Sequence, residues 1–202
     1  NFYVSGSTGY IGRYLYHSAF ENFDCPTNYL MWIIENLAII PVVSGDLMLS
    51  KDVYLNSVEN IKIADKYLPI IDIESEISDE WIEIFSFKKY LNFDDYLSIL
   101  SKISEDEENI IQNKERILTI YKILSNNYLS KQDVISEWSK HNKLLNINNK
   151  FVYANELKFV AQKGFESNDL FFCDYTEITP EFLKLLEAFG VTVISEFLPE
   201  IS

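Results

Sequence analysis

Gly6, Gly9 and Gly12 stand three apart in SGSTGYIG, between the apolar Phe2–Val4 and the helically patterned stretch Tyr14–Phe23. Glycines so spaced, where a strand runs into a helix, let backbone N–H groups approach a pyrophosphate. A dinucleotide site also needs a second strand that ends in an acid about 20 residues on, to hold the ribose. Tyr29–Glu35 (YLMWIIE) supplies a candidate with Glu35 as that acid, and VVSGDL (Val42–Leu47) resembles a third-strand segment. Beyond Leu47 the alternation of strand and helix stops, and mostly helical segments fill Ile77–Trp138. The Asp-Cys-Pro at Asp24–Pro26 also interrupts the first crossover, so the glycines read more simply as a turn before a helix.

Other residues capable of chemistry are sparse. His17 and Glu21, four apart on one helix face, have no third ligand of the H-E-x-x-H kind, so no metal site is expected. His141 reads as a cation at a helix C-terminal turn, and Glu105–Glu108 as a capping run. Cys25 and Cys173 lie far apart without a C-x-x-C partner and read as buried free thiols. No catalytic residue is expected.

The 202 residues are 48% hydrophobic, enough for a substantial core, and carry 17 basic against 31 acidic side chains, a net charge of −14. Such a field repels phosphate backbones and anionic lipids, so neither direct nucleic-acid nor membrane-surface binding is expected. The helix-hairpin pattern of Ser130–Tyr153 invites a winged-helix reading, which the same charge opposes. With no membrane-length apolar run and no signal peptide, the chain reads as cytoplasmic. It opens on Asn1 without an initiator Met and reads as a piece of something longer.

Helical periodicity dominates. The spacing predicts a helix over Asn28–Leu37 with Thr27 as cap, then a β-hairpin of Ala38–Val43, the turn Ser44-Gly45-Asp46 and Leu47–Leu49, with Pro41 on an edge strand. Tyr67–Ile73 reads as extended, and Ser78 as the cap of a helix ending near Phe87. Ser104-Glu105-Asp106-Glu107 reads as a capping box opening a long helix, with Ile110, Ile111, Ile117, Leu118, Tyr121 and Leu124 in one stripe. Ser130 is expected to cap a helix with Val134, Ile135 and Trp138 inward.

The second half then repeats the first. Ser44–Leu55 (SGDLMLSKDVYL) lies over Asn148–Phe159 (NNKFVYANELKF) without a gap, and Ile77–Ile82 over Ile178–Leu183, where Thr179 caps and Pro180 takes the first position. The expected fold is α+β and mainly helical: two related helix/β-hairpin/helix modules joined by a long helix. The expected division is 1–103 with the first module, 104–126 as connecting helix, and 127–202 as second module. Gly45 and Asn149 are expected at positive φ, and Trp32, Trp81 and Phe182 in module cores, with Trp138 a packing residue as well.

Trp32–Ser57 (WIIENLAIIPVVSGDLMLSKDVYLNS), Lys66–Asp72 (KYLPIID), Trp81–Ile103 (WIEIFSFKKYLNFDDYLSILSKI) and Ile178–Val191 (ITPEFLKLLEAFGV) resemble segments of the large sacsin and NO VEIN proteins. The resemblance implies a segment downstream of a histidine-kinase-like (GHKL) ATPase module, and it brings no catalytic residue. The ATPase's own D-x-G-x-G turn is not found. It implies a non-catalytic scaffold or interaction segment of a larger ATP-dependent, chaperone-like or defence-related protein. The partners would be the rest of the parent chain and other proteins, with no cofactor in this piece. The competing reading is an atypical NAD(P)-binding Rossmann protein of the extended short-chain dehydrogenase type, with Gly6, Gly9 and Gly12 at the pyrophosphate and Glu35 at the ribose. Such enzymes use a tyrosine and lysine four apart; Tyr128 and Lys131 are three apart.

Overall fold

The computed structural model describes residues 26–73, 77–160, 167–174 and 178–194. In chain order these carry α1 (Pro26–Asn36), β1 (Ile40–Pro41), β2 (Leu47–Met48), α2 (Val58–Ile63), α3 (Asp79–Phe85), α4 (Phe93–Glu105) and α5 (Ile110–Asn127). They are followed by α6 (Gln132–Ser139), β3 (Lys143–Leu145), β4 (Phe151–Tyr153), β5 (Lys158–Val160), α7 (Pro180–Phe189) and β6 (Thr192–Ile194). The fold is α+β and mainly helical. The chain divides into two compact units, one of Asn1–Asn56 with Pro69–Lys89 and one of Ser57–Leu68 with Tyr90–Ser202.

In the first unit, β1 and β2 form the expected hairpin, closed by Val42 N–H donating to the Asp46 carbonyl at 3.1 Å. Gly45 takes φ +89° in its turn, the left-handed region where a side chain is strained. Val43 N–H then bonds the Ile70 carbonyl, Tyr54 N–H that of Pro69, and Lys88 N–H that of Val53, which extends the ladder across three further short segments. α1 packs against α3, and Ile34, Val42, Val53, Ile71, Ile82, Phe85 and Phe87 form the core beneath.

The second unit contains the same path. Asn146 N–H bonds Lys150, Ile147 bonds Leu170, Lys158 bonds Asp169, and Thr192 bonds Leu157. The hairpin, Tyr54 with Lys158, and the final helix end are displaced by 104 residues, and the short segment Pro69–Ile70 with Asp169–Leu170 by 100, so the two modules share these hydrogen bonds. Asn149, at φ +61°, occupies the place of Gly45. The shared left-handed position gives a paired prediction. Gly45→Ala is expected to cost about 1–2 kcal/mol, the penalty for placing a Cβ in this region, although no atom lies within 4 Å of it. Asn149→Gly is expected to be neutral or stabilising, because it also removes a buried Oδ1 that lacks a hydrogen-bond partner among the described residues. Chemical denaturation of the two variants checks the pair.

Helix boundaries bring corrections. α1 begins at Pro26, so Thr27 lies in its first turn instead of capping it. α3 ends at Phe85 with Ser86 left-handed, and α7 ends with Gly190 in the same conformation, each donating its backbone N–H to two carbonyls of the last turn. Ser104 does not open the long helix: it lies in the last turn of α4, the helix ends at Asp106, and a short 3-10 turn precedes α5. The capping box in this region is Asn92 with Asp95, at the start of α4. On α5 the buried stripe is Asn113, Ile117, Ile120, Tyr121 and Leu124, while Ile111 is 76% exposed. Ser130 falls in a 3-10 turn, α6 starts at Gln132, and Val134 is exposed while Ile135 is buried.

The aromatic assignments divide. Phe182 is buried as expected, but Trp32 is 51% and Trp81 38% exposed. α7 has ten residues against seven in α3, and Phe182 and Leu185, three residues apart, share a face of it. The C-terminal hydrogen bonds pair Trp81 with Leu185, which is fully buried. That face of α7 is covered because α5 and α6 pack against it.

Candidate functional site

Two polar constellations stand out in the second unit. The first centres on Tyr67, delivered by the turn after α2 onto α4 and α5. Its hydroxyl donates to Asp106 Oδ2 at 2.8 Å and accepts from Asn113 Nδ2 at 2.6 Å. Arg116 donates to the Asn113 side-chain oxygen, to Asp65 Oδ2 at 3.1 Å and to the Lys62 carbonyl at 3.3 Å. Lys102 Nζ donates to the Tyr67 carbonyl at 2.6 Å. Lys66 Nζ reaches Asp106 Oδ2 at 2.6 Å, and Asn109 donates to its other oxygen at 2.7 Å.

Burial, then the Asp106 carboxylate, pushes the Tyr67 phenol up to about 12. Hydrogen bonds from Lys66, Asn109 and Tyr67 hold Asp106 down at about 2. At neutral pH the phenol keeps its proton and the carboxylate stays charged, so the pair suits a clamp on Ser57–Leu68 better than proton transfer. Asn113 was hidden from a hydrophobic reading of α5 because a polar residue in a buried stripe gives no periodic signal.

The clamp carries a pH prediction. Asp106, and Asp169 held at about 2 by Lys158 and Ser167, both titrate below their ordinary 3.8. A carboxylate with a depressed folded pKa stabilises above its unfolded value and loses that contribution as protons bind. Melting temperature should therefore fall as pH drops from 3.8 through about 2, and fall less steeply in Asp106→Asn.

The second constellation is an open groove of about 500 Å³ between α4 and α6, lined by Asp94, Leu97, Ser98, Ser101, Val134, Glu137, Trp138, His141 and Asn142. Trp138 Nε1 donates to Ser101 Oγ at 3.0 Å, Ser101 Oγ donates to Asn142 Oδ1 at 2.6 Å, and Asn142 Nδ2 donates to the Trp138 carbonyl at 2.7 Å. This closed ring of bonds fixes the indole, whose packing includes Phe189 at 6.0 Å between centroids. On the rim, Glu137 is held by Lys140 at 2.6 Å and approached by His141 at 3.7 Å. Lys140, then His141, lowers the Glu137 carboxyl below its ordinary range. The end-of-helix placing of His141 agrees with the sequence. The ring itself joins residues 41 apart and has no local signature.

The residues of the dinucleotide reading fare differently. Gly6, Gly9 and Gly12 lie outside the described residues, as do His17, Glu21 and Cys25. Glu35 is exposed on α1, and Tyr29–Asn36 is helical where that reading needs a strand. An α-helix of 11 residues cannot serve as a sheet strand that presents Glu35 at its end. Cys173 is half-buried, and burial pushes its thiol up to about 12, away from the range of a reactive thiolate. Among the described residues no three His, Cys, Asp or Glu side chains gather to hold a metal, and no helix is long and apolar enough to cross a membrane.

No protein-family model, curated protein or solved structure matches the chain.

Proposed function

We propose that this chain is a non-catalytic scaffold and interaction segment of a larger, cytoplasmic, sacsin-like ATP-dependent protein of chaperone-like or defence-related role. The observation that carries the reading is the duplicated module, whose two copies share one hydrogen-bond path. Duplicated units leave faces that neighbours cover, and stacks of them build extended binding surfaces. The aromatic groove on α4 and α6 and the half-exposed Trp32 and Trp81 add to that support. Its partners would be the remainder of the parent chain and other proteins, without cofactor, nucleic acid or membrane.

The NAD(P)-binding reading is opposed by α1, which takes the place of the ribose-holding strand. Thermal-shift titration with NAD(H), NADP(H) and ATP tests the proposal. A ligand at 100 times its Kd stabilises by about 2.7 kcal/mol, readily seen as a raised melting temperature. No shift is expected; a saturable shift with a nicotinamide cofactor would overturn the scaffold reading.

A further inference from the structure

We propose that the groove between α4 and α6 receives the aliphatic cation of a partner protein, a lysine or arginine side chain laid against Trp138 between Asp94 and Glu137. The inference rests on the interaction reading and gives it a partner chemistry. Leu97 and Val134 supply apolar walls for a methylene stem, and Trp138 supplies an aromatic wall. Tryptophan is the most favourable ring for a cation, and the Trp138–Ser101–Asn142 ring of bonds already fixes the indole before a ligand arrives. The charge is complementary: Asp94 and Glu137 are the acids lining the groove, and no Lys or Arg is among its lining residues.

Asp94 is exposed at the start of α4, where the capping bonds are made by Asn92 and Asp95, so its carboxylate is not the cap. Glu137 is shared with Lys140, which therefore competes with an incoming cation. The groove is open to solvent, so its affinity for a single side chain is expected to be of order millimolar, with more from the rest of a partner.

The test is a two-dimensional nitrogen–proton NMR titration of the 202-residue chain with Nα-acetyl-lysine methylamide, and in parallel with the neutral norleucine analogue. The lysine probe should move the Trp138 indole and Asn142 side-chain amide signals saturably, and norleucine should move them far less. Asp94→Asn and Glu137→Gln each change an exposed side chain, and each should weaken the lysine response roughly three- to tenfold while the spectrum stays folded. Lys140→Gln should strengthen it. Equal responses to both probes, an unsaturable response, or lysine binding indifferent to all three substitutions would overturn the proposal. Such a failure leaves the interaction reading intact, whereas a melting-temperature rise with a nicotinamide cofactor would remove that reading itself.

Discussion

Tyr121→Ala is expected to destabilise the second unit by about 3–5 kcal/mol, the cost of emptying a large aromatic site in a packed core. The side chain is 1% exposed, with ring centroids 5.2 Å from Phe171 and 5.7 Å from Phe189. It thus links α5 to the Leu170–Phe171 segment and to α7 at one point. Deleting it removes the buried area, leaves a cavity that rigid neighbours on two elements cannot collapse, and breaks both aromatic contacts. Its phenol, pushed far up by burial, bonds the Leu145 backbone. Tyr121→Phe keeps the ring and loses only that bond, at about 1 kcal/mol. Urea denaturation of the two variants checks both values; a loss near 1 kcal/mol for the alanine variant would remove Tyr121 from the centre of the core.

Leu185→Ala should cost about 2–5 kcal/mol, and Trp81→Ala, at the equivalent place in the first module, less than the 3–5 kcal/mol of a fully buried aromatic. The ranking inverts what residue size alone suggests. Leu185 is fully buried under the packing of α5 and α6 on α7, whereas Trp81 is 38% exposed and leans on Phe85 at 5.8 Å. Hydrophobic stabilisation follows area removed from water, so a half-covered indole returns less than its full value. Midpoints of chemical denaturation for the two alanine variants decide the matter, and a larger loss at Trp81 would show that the first module buries this face as fully as the second.

What the sequence discloses here is local. The hairpin turns are readable at Gly45 and Asn149 because a left-handed residue restricts the choice of side chain. The last helix is readable at its start, where Thr179 caps it through the Phe182 N–H and Pro180 suits its first turn; Gly190 closes its other end. The repeat is readable for the same reason, since the turn, the apolar triplet after it and the capped helix recur in order.

The interruption at Asp106 is a different case. Ser104–Glu107 satisfies the capping pattern, yet Ser104 completes α4 and the chain turns at Asp106. Its carboxylate is taken by Lys66, Tyr67 and Asn109, two of which lie some 40 residues upstream. Those long-range bonds favour a break that local propensity leaves undecided. The groove is similar, because α4 must meet α6 before Ser101 can hold Trp138 and Asn142.

The sequence by itself therefore determined the module: its hairpin, the Thr179 cap of its last helix, its aliphatic core positions and its second copy, all set by φ preference, capping chemistry and hydrophobic period within a dozen residues. Tertiary structure alone decided which aromatics are covered, where the long helix starts and which polar side chains converge. Burial and convergence depend on elements far apart in the chain, and only their packing brings an α5 to one module's helix face or a Tyr67 to an Asp106.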